Sequence, residues 1–528
     1  MKAAALFVML MAAVFAASTV SEQNLRDAQA DPANWLTYGK NYLGWRSSDL
    51  TEINTKTVLR LTPQWIHQTG VSGQHETSPL VFGGKMFVTG PSNNAFALDL
   101  LTGKEIWHYH KAPPAGLNMC CGEQNRGFAA LGDRLFKLNI EATLVALDAR
   151  SGAELWERQM ADHRKGYTAT GAPLVVKNKV VVGMAGAEFG TRGFIDAYDA
   201  ATGERVWRLN TIAAKGEPGG ETWAGDSWEH GGGSTWTTGT YDPELNLIYW
   251  GTANPGPGLD GDVRGGDNLY TDSLVALDAD TGKLKWYFQF TPHDTHDWDA
   301  VEDPVLIDME VKGRKVKAVM QANRNGFFYA LDRTNGQFLH AAPFTKITWA
   351  KGIDAKGRPI VVSGLDPSEE GTKVCPGVGG GHHWHPTAYS PQTKLFYFNT
   401  TDGCEVFYRN KQAFHEGQWY QASTETSIPS EPSAGAVLAV DPATGETRWR
   451  FDMVTPASAG MLSTAGGLVF TGDGQGYLLA LDAKTGKPLW HFQTGGRISA
   501  PPITYTLNGK QQIAIAAGTS IVTFALMP

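Results

Sequence analysis

Residues 274–288, Leu-Val-Ala-Leu-Asp-Ala-Asp-Thr-Gly-Lys-Leu-Lys-Trp-Tyr-Phe, contain the pattern that decides the fold. An apolar stretch ends at Asp278, Gly282 follows it closely, and Trp286 stands in the next strand-like stretch. Apolar and aromatic residues favour strands, whereas Asp, Thr and Gly favour a tight turn between them. The stretch therefore predicts a β-hairpin.

The same arrangement of Asp, Gly and Trp recurs along the chain. Copies that keep the Trp are Asp99…Trp107, Asp148…Trp156, Asp199…Trp207, Asp278…Trp286, Asp441…Trp449 and Asp482…Trp490, and Asp332…Gly336 is a copy without it. Strand-rich repeats of roughly 40–50 residues are typical of a β-propeller. We therefore predict an all-β protein, a β-propeller with W-motif repeats.

One further tryptophan, Trp65, lies outside these copies because no Asp turn precedes it. Its surroundings resemble residues 489–495, so it indicates one more repeat. We predict that strands at residues 512–517 and 521–526 complete its sheet, so that N- and C-terminal strands close the ring without a free sheet edge. The propeller would then be eight-bladed, and the wide interval from residue 340 to 449 would hold long loops rather than further blades.

The chain has 528 residues, but propellers grow by adding blades, so we predict a single domain over residues 31–528. Residues 1–18, a Lys followed by an apolar run, predict a secretory signal peptide with cleavage near residues 16–21, and therefore a periplasmic location. No other stretch is apolar over ~18 residues, so no membrane span is expected. The net charge of −8, without a Lys/Arg cluster, argues against a nucleic-acid partner.

The four cysteines suit an oxidising compartment. A Cys375–Cys404 disulfide would close a loop of about 30 residues and stabilise the fold by about 3–4 kcal/mol. A bond between the adjacent Cys120 and Cys121 would form a strained ring, because consecutive Cα atoms are ~3.8 Å apart, and two reduced thiols are the alternative. No Cys-x-x-Cys-His sequence occurs, so no c-type haem attachment is predicted.

Oxygen donors interrupt the repeats at four positions, Glu188, Asn254, Asp297 and Asp299. Each alone is readily explained as a turn or surface residue. Together they offer only carboxylate and amide oxygens, which suit a hard, calcium-like cation better than zinc or copper. They lie on consecutive repeats, and the central channel of a propeller is where such side chains could converge.

Several motifs closely resemble those of the pyrroloquinoline quinone (PQQ) dependent alcohol dehydrogenases, the methanol/ethanol dehydrogenase family. The motifs are Cys120-Cys121-Gly-Glu-Gln-Asn-Arg126, Gly186-Ala-Glu188, Gly231-Gly-Gly-Ser-Thr-Trp236, Gly251-Thr-Ala-Asn254-Pro, Thr291-Pro-His-Asp294 and Arg324-Asn-Gly326. The resemblance extends over essentially the whole mature chain.

The resemblance implies that PQQ lies between the indole of Trp236 and a Cys120–Cys121 disulfide ring. The cofactor-binding residues that it implies are Glu76, Cys120, Cys121, Arg126, Thr170, Gly186, Ala187, Ser234, Trp236, Arg324 and His383. Gly186 and Ala187 would bond through their backbone, and Arg324 would hold the quinone oxygen beside the metal.

The resemblance also implies that Glu188, Asn254 and Asp297 bind the metal ion, with Asp297 as the general base. Asp299 matches an additional Asp of the lanthanide-dependent members, and a third carboxylate suits a trivalent cation by charge. We therefore expect a lanthanide ion rather than Ca²⁺ in the site. The alternative is that Asp299 points to solvent and calcium fills the site.

The function implied is a periplasmic quinoprotein that oxidises primary alcohols, with aldehydes as a further substrate class. Electrons would pass to a separate soluble cytochrome c, and a homodimer is compatible with the sequence. Two alternatives stay open: a PQQ dehydrogenase of a sugar or polymer alcohol, and a non-catalytic propeller that serves as a scaffold.

Three positions depart from the best-known relatives. Ala185 stands in place of a Ser, His383 in place of an Asn, and Ser458 in place of a large Trp over the cofactor edge. The last change puts methanol specificity in doubt. The alternation of His382, His383 and His385 predicts a strand beside the cofactor rather than a zinc site.

Overall fold

The computed structural model describes residues 19–456 and 458–527, so the predicted signal peptide at residues 1–18 lies outside the described residues. Nearly all regular structure in this part of the chain is β-strand. Eight of its sheets have four or more strands. We number them I to VIII in the chain order of the strands that carry the tryptophan of each repeat, or His340 in sheet VI.

The strands of sheets I to IV are as follows. Sheet I contains Leu61–Gln68, Ile503–Leu507, Lys510–Ala517 and Ser520–Leu526; sheet II contains Leu80–Phe82, Lys85–Thr89, Ala95–Asp99 and Glu105–Tyr109; sheet III contains Ala129–Leu131, Arg134–Asn139, Thr143–Asp148 and Glu154–Gln159; sheet IV contains Leu174–Val176, Lys179–Val182, Phe194–Asp199 and Arg205–Asn210.

The strands of sheets V to VIII follow the same order. Sheet V contains Thr240–Asp242, Leu247–Gly251, Ser273–Asp278 and Leu284–Gln289; sheet VI contains Val305–Val311, Arg314–Ala322, Phe327–Asp332 and Gln337–Pro343; sheet VII contains Ala388–Ser390, Leu395–Asp402, Ala434–Val440 and Thr447–Met453; sheet VIII contains Leu462–Thr464, Leu468–Gly472, Tyr477–Asp482 and Pro488–Gln493, with Ser47–Ser48 as a fifth strand.

Short helices occur between these strands. The helix Glu22–Arg26 is α-helical, and the 3₁₀ helices are Ala28–Ala30, Val58–Arg60, His163–Lys165, Ala187–Phe189, Gly220–Thr222, Ser227–His230 and Gly261–Arg264. None of the helices in the described part of the chain is long and apolar enough to cross a membrane.

Sheet I joins the two ends of the described chain. Leu61–Gln68 pairs antiparallel with Ser520–Leu526, and Trp65 lies opposite Thr523. The prediction that C-terminal strands complete the sheet of Trp65 is confirmed. Leu61–Gln68 is the terminal strand of the sheet, so this pairing satisfies the backbone groups on one of its two sides.

In six repeats the tryptophan packs on the hairpin turn of the next sheet. In sheet II, Nε1 of Trp107 donates to the carbonyl oxygen of Ala149 at 3.3 Å. A Cβ added to Gly152 would lie 2.7 Å from the same indole, and Gly152 has a φ of 73°, which glycine adopts without strain. The Gly of the repeat is therefore required by the turn and by the neighbouring ring.

Equivalent contacts join the other sheets in chain order. They are Trp65 on Gly103, Trp156 on Gly203, Trp207 on Gly282, Trp286 on Gly336 and Trp449 on Gly486. At the copy without a tryptophan, His340 takes the position, and its Nε2 lies 3.0 Å from the carbonyl oxygen of Pro442. Sheet VIII contacts sheet I through Trp490 and Phe524, whose ring centroids are 5.7 Å apart.

A segment of residues 35–48 crosses the sheets and bonds to several of them in succession. Its backbone pairs are Trp35 with Val81, Tyr42 with Tyr241, Leu43 with Leu306, Trp45 with Tyr389 and Arg46 with Ser463. The buried guanidinium of Arg46 donates to the carbonyl oxygens of Met461 at 3.0 Å and Pro502 at 2.9 Å. The segment therefore fastens sheets I, II, V, VI, VII and VIII to one another.

The interval from residue 340 to 449 contains more regular structure than expected. Besides part of sheet VII it holds a two-stranded sheet, Ala350–Ile353 with Pro359–Val361, and a three-stranded sheet of Thr372–Val374, Glu405–Phe407 and Glu425–Ser427. These strands are three or four residues long and lack the hairpin pattern of Asp, Gly and Trp, so the sequence pattern does not reveal them. Neither sheet is a further copy of the four-stranded unit.

Candidate active site

A cavity of about 570 Å³ lies where the connections between strands and between sheets meet. From the predicted site it is lined by Glu76, Cys120, Cys121, Arg126, Thr170, Glu188, Trp236, Asp297, Asp299, Arg324 and His383. The remaining predicted residues, Gly186, Ala187, Ser234 and Asn254, are buried in segments that adjoin these. A volume of this size is typical of a pocket for a cofactor or a drug-sized ligand.

The acidic and cationic groups reach the cavity from three sheets. Glu188 lies in the 3₁₀ helix Ala187–Phe189 between two strands of sheet IV. Asp297 and Asp299 lie in the connection between sheets V and VI, and Arg324 lies in the turn between the second and third strands of sheet VI. Connections carry these residues because a strand would project alternate side chains into the packed faces of the sheets.

Asp299 is a buried carboxylate whose two oxygens are both bonded. Oδ1 accepts the backbone N–H of Asn254 at 2.8 Å. Oδ2 accepts Nε1 of Trp236 at 3.0 Å and Nη1 of Arg324 at 2.9 Å. Because Asp299 is only 4% exposed and lines the cavity, the alternative that it points to solvent is wrong.

Asp297 shares the guanidinium of Arg324 with Asp299. Nη2 of Arg324 lies 3.3 Å from Oδ2 of Asp297, while Oδ1 of Asp297 is buried without a hydrogen-bond partner among the described residues. Burial raises the pKa of Asp297 well above its ordinary value, against the effect of Arg324, and the nearby Asp299 and Glu188 raise it further. A cation bound among these carboxylates would offset that unfavourable charge.

Asn254 and Glu188 supply further oxygens. Asn254 is fully buried, its Nδ2 donates to the carbonyl oxygen of Pro255 at 3.1 Å, and its Oδ1 has no partner among the described residues. Burial raises the pKa of Glu188 to about 7. Since buried amide oxygens are normally bonded, the unpartnered Oδ1 fits a ligand of a hard cation.

Both predicted disulfides are present, Cys120–Cys121 and Cys375–Cys404. The alternative of two reduced thiols at Cys120 and Cys121 is not what the structure shows. A carboxylate oxygen of Glu188 and the two sulfurs of Cys120 and Cys121 all lie within 4.8 Å of one another. The disulfide and the acidic group therefore share one part of the cavity wall.

Arg126 forms the cationic centre of another part of the wall. Its Nη2 lies 2.7 Å from Oε2 of Glu76, and its Nη1 donates to Oγ1 of Thr170 at 2.8 Å. The guanidinium carbon lies 4.7 Å from the ring centroid of Trp236 and 4.5 Å from that of Trp384. Stacking on aromatic faces holds the fork of the guanidinium in place.

Gly186 and Ser234 do not line the cavity directly, but each has a buried environment that bears on the predicted site. A Cβ on Gly186 would lie 2.2 Å from the carbonyl oxygen of Gly166, so only glycine permits this close approach. Oγ of Ser234 is buried and has no hydrogen-bond partner within the described residues. An unpartnered buried hydroxyl is the kind of group that a bound ligand satisfies.

The histidine motif does not form the strand that we expected. No strand covers residues 381–387, and sheet VII begins only at Ala388–Ser390. Pro386 cannot donate to a sheet ladder, and the backbone N–H of Trp384 is bonded to Nδ1 of His383 at 2.8 Å. His383 nevertheless lines the cavity, with its ring centroid 5.9 Å from that of Trp236.

Three groups at the site were not identified from the sequence. Trp384 lines the cavity and stacks on Arg126. Oε1 of Glu302 accepts the backbone N–H of Arg324 at 2.8 Å, and the carbonyl oxygen of Val378 accepts Nε of Arg324 at 2.8 Å. The position of Trp384 between histidines was a visible signal, whereas a carbonyl acceptor leaves none in the sequence.

Comparison with known proteins shows which family the chain belongs to. The family model described as "Glucose/ethanol/alcohol dehydrogenase, beta-propeller domain" matches residues 35–348. The quinoprotein alcohol dehydrogenase PedH of Pseudomonas putida is 38% identical over 537 residues, covering 97% of this chain and 90% of the relative. The chain belongs to the PQQ-dependent alcohol dehydrogenase family. A second model, described as "Outer membrane protein assembly factor BamB", matches residues 433–525.

Other relatives of this quinoprotein cover most of its length. A lanthanide-dependent methanol dehydrogenase of Methylacidiphilum fumariolicum is 38% identical and covers 93% of the chain and 85% of the relative. A europium-containing methanol dehydrogenase superposes with a TM-score of 0.91 at 34% identity, covering 96% of this chain and 100% of that one. The quinohaemoprotein alcohol dehydrogenase of Comamonas testosteroni superposes with a TM-score of 0.92 at 35% identity, covering 96% of this chain and 83% of that one. The enzyme is thus an all-β PQQ-dependent alcohol dehydrogenase with a β-propeller domain.

Proposed function

We propose that this enzyme oxidises primary alcohols, and aldehydes as a further class, with PQQ and one metal ion held in the 570 Å³ cavity. The observation that carries the proposal is the meeting of Glu188, Asp297 and Asp299 with Arg324 at one wall of that cavity. The adjacent cysteines and Trp236 line the same space. We further propose that sheets I to VIII are the eight blades of one domain over residues 31–528.

The residues proposed to hold PQQ offer a flat slot with polar ends. The Cys120–Cys121 disulfide and the indole of Trp236 would flank the ring system, and Arg126, Glu76 and Thr170 would bond its polar substituents. Ser234 would contribute the hydroxyl that has no partner among the described residues, and Gly186 and Ala187 their backbone. Arg324 and His383 complete the set of proposed contacts.

The proposed metal ligands are Glu188, Asn254, Asp297 and Asp299. All four offer hard oxygen donors, and two of these oxygens, Oδ1 of Asn254 and Oδ1 of Asp297, are buried without a partner in the described chain. Three carboxylates carry enough negative charge for a trivalent ion, so we propose a lanthanide in preference to Ca²⁺. The burial of Asp299 inside the cavity supports this choice.

PQQ, when bound, supplies the two-electron acceptor. Asp297 would accept the hydroxyl proton of the alcohol at a carboxylate oxygen, because its side chain lines the cavity beside the proposed metal position. Arg324 holds Asp297 and Asp299 in a fixed geometry and would stabilise negative charge that develops on the acceptor side. Asp299 keeps the indole of Trp236 oriented through its Nε1 hydrogen bond.

The remaining features of the proposal follow from the predicted leader sequence and the lack of a haem-attachment motif. We propose export to the periplasm, with electrons passed singly to a soluble cytochrome c. A homodimer is compatible with this arrangement. Sugar and polymer alcohols are the second substrate class to be tested, because Ser458 replaces the bulky residue that the resemblance places over the cofactor edge.

The proposal is tested by reconstitution of the purified protein with PQQ plus Ca²⁺ or PQQ plus La³⁺. Dye-linked turnover is then measured on methanol, ethanol, longer primary alcohols, aldehydes and sugar alcohols. We expect turnover only with PQQ and a metal together, and greater turnover with La³⁺. Activity that does not depend on PQQ would refute the proposed function.

A further inference from the structure

Trp419 is a half-exposed tryptophan at the opening of the cavity. Its side chain lines the cavity, and 47% of its surface is exposed to solvent. Among the large hydrophobic side chains that are exposed in the described part of the chain, Trp419 is the one that lines this cavity. A single apolar side chain on a protein surface needs no explanation, but an aromatic ring at the rim of a binding cavity is typical of a ligand contact.

The indole of Trp419 is held in place although half of its surface faces solvent. Its ring meets the ring of Phe189 edge to face, with centroids 5.6 Å apart and planes at 88°. The carbonyl oxygen of Trp419 accepts Nε2 of Gln412. The N–H of the following Tyr420 donates to the carbonyl oxygen of Glu188 at 2.6 Å. A ring that is fixed before binding loses little freedom on binding, which favours affinity for a ligand.

The same contacts place the indole beside the acidic wall of the cavity. Phe189 follows Glu188 in the 3₁₀ helix Ala187–Phe189, so Trp419 packs on the segment that carries a proposed metal ligand. Asp297, the proposed acceptor of the hydroxyl proton, lines the same cavity. We therefore expect an alcohol whose hydroxyl group lies at Asp297 to extend its carbon chain toward the opening, where Trp419 lies.

Polar side chains also line the cavity, but three of its amides already have partners within the chain. Nε2 of Gln74 donates to Oε1 of Glu76 at 2.9 Å, and Nε2 of Gln124 donates to a backbone carbonyl oxygen at 3.1 Å. Oε1 of Gln421 accepts the N–H of Gly258 at 3.0 Å. A polyol needs a partner for each hydroxyl group that it buries. These contacts therefore favour a substrate with one polar end and an apolar tail.

We propose that Trp419 determines substrate specificity by binding the apolar tail of the alcohol, so that the preferred substrates are primary alcohols with an aryl or long alkyl group. This inference rests on the proposed function and names the substrate class within it. Burial of the tail against the indole removes apolar surface from water, whereas methanol and ethanol have too little apolar surface to gain much. Trp419 contacts the substrate away from the reacting carbon, so it contributes to binding rather than to the chemical step.

The test compares two alcohols that differ by one phenyl group, propan-1-ol and 3-phenylpropan-1-ol, in the enzyme reconstituted with PQQ and its metal ion. We expect the unaltered enzyme to have the higher kcat/KM for 3-phenylpropan-1-ol. Trp419→Ala should raise the KM for that alcohol about tenfold or more and the KM for propan-1-ol less than about twofold, with kcat little changed. Equal changes in the two KM values would overturn the proposal, as would a higher kcat/KM for sorbitol in the unaltered enzyme.

Two further variants distinguish an aromatic contact from a general change at the surface. Trp419→Phe keeps an aromatic face and should bring the KM for 3-phenylpropan-1-ol to within about threefold of the unaltered value. The matched control is Val263→Ala, because Val263 is also 47% exposed but does not line the cavity. That change should leave both KM values unaltered. A lower melting temperature in Trp419→Ala, without rescue of the KM by Trp419→Phe, would show a structural role and refute the inference.

Binding without turnover gives an independent readout. The amides 3-phenylpropionamide and propionamide differ by the same phenyl group and have no hydroxyl group to oxidise, so their inhibition constants against propan-1-ol report binding alone. Trp419→Ala should weaken inhibition by 3-phenylpropionamide about tenfold and inhibition by propionamide less than about twofold. Equal weakening of both amides, or no inhibition of the unaltered enzyme by 3-phenylpropionamide, would contradict the proposal.

The inference and the proposed function can fail separately. PQQ-dependent turnover of propan-1-ol without a preference for 3-phenylpropan-1-ol would remove the role of Trp419 and leave the proposed function intact. Absence of PQQ-dependent turnover with every alcohol would refute the proposed function, and the role of Trp419 would fall with it.

Discussion

Nη1 of Arg324 lies 2.9 Å from Oδ2 of Asp299, and both side chains are almost completely buried. A second nitrogen of the same guanidinium reaches Asp297 at 3.3 Å. One planar group thus holds two carboxylates of the cavity wall at a fixed separation, which a flexible ammonium would not do. We expect the metal preference of the enzyme to depend on this arrangement.

Replacement of Asp299 tests the choice of metal. We expect Asp299→Ala to abolish turnover supported by La³⁺ and to spare turnover supported by Ca²⁺, because two carboxylates still match a divalent ion. The measurement is dye-linked activity after reconstitution with PQQ and each metal. Equal loss with both metals would refute the assignment of Asp299 as the residue that sets the ion charge.

Replacement of Arg324 tests whether its guanidinium group must hold Asp297 and Asp299 in place. Arg324→Lys keeps a charge but loses the fork, so we expect at least a tenfold lower kcat with metal and PQQ in place. Arg324→Ala removes the guanidinium that Asp297 and Asp299 share and should cost about 3–5 kcal/mol in the metal-free protein, measured by chemical unfolding. The control is Arg358→Lys, whose pair with Asp267 is exposed. That change should alter stability by less than about 1 kcal/mol and leave kcat unchanged.

Asp303 predicts a pH dependence of stability. Burial raises its pKa from the ordinary value to about 7, so the folded state keeps a proton that the unfolded state releases near pH 4. Stability from this group is therefore complete below pH ~4 and is lost as the pH rises to about 7, on the order of 4 kcal/mol in total. Unfolding of the metal-free protein at several pH values should show this decline. Asp303→Asn should make the decline shallower without abolishing it, because buried Glu188 has a pKa raised in the same way, and an unchanged slope would contradict the prediction.

The Cys375–Cys404 disulfide supports Arg324 from a distance. The segment after Cys375 carries Val378, whose carbonyl oxygen accepts Nε of Arg324, and Gly377, whose N–H donates to the carbonyl oxygen of Gly403. Changing both Cys375 and Cys404 to Ser should lower stability by about 3–4 kcal/mol and reduce kcat. Thermal melting and turnover check the two effects, and a stability loss with unchanged kcat would show that Arg324 needs no such support.

Alanine substitutions at two glycines with the same φ distinguish the cost of backbone strain from the cost of a steric clash. Gly84 and Gly152 both have a φ of 73°, but a Cβ on Gly84 meets nothing within 4 Å whereas one on Gly152 meets the ring of Trp107. Gly84→Ala should cost about 1–2 kcal/mol from the backbone alone. Gly152→Ala should cost about 1–3 kcal/mol more, because the indole must move. Chemical unfolding measures the free energy of unfolding of both variants. Equal losses would mean that the indole of Trp107 moves aside at no cost in stability.

The repeats could be predicted because they leave local marks in the sequence, and the proposed ligands were recognisable as oxygen donors that interrupt those repeats. The turn Asp, the Gly and the Trp, as in residues 274–288, define the hairpins, and Glu188, Asn254 and Asp299 stand in the segments between strands. The site also depends on contacts that leave no such mark. The carbonyl oxygen of Val378 and the carboxylate of Glu302 reach Arg324 only in the folded chain.

The errors have a similar cause. The strand expected at residues 382–385 followed from alternation alone, but Pro386 and the bond from Trp384 to His383 remove the donors that a sheet requires. The sequence also does not reveal that Asp272 is fully buried, because one Asp before a strand is an ordinary turn residue. Only its burial and the absence of partners for it in the described residues distinguish it.

Pairing of Leu61–Gln68 with Ser520–Leu526 brings together segments separated by almost the entire chain. Until the last of these residues has been synthesised, the early strand has no companion and its polar backbone stays open to other chains. Assembly of the complete molecule therefore waits on its final strand, and contacts of such long range form slowly. A chaperone that shields Leu61–Gln68 during synthesis would raise the yield of correctly assembled enzyme.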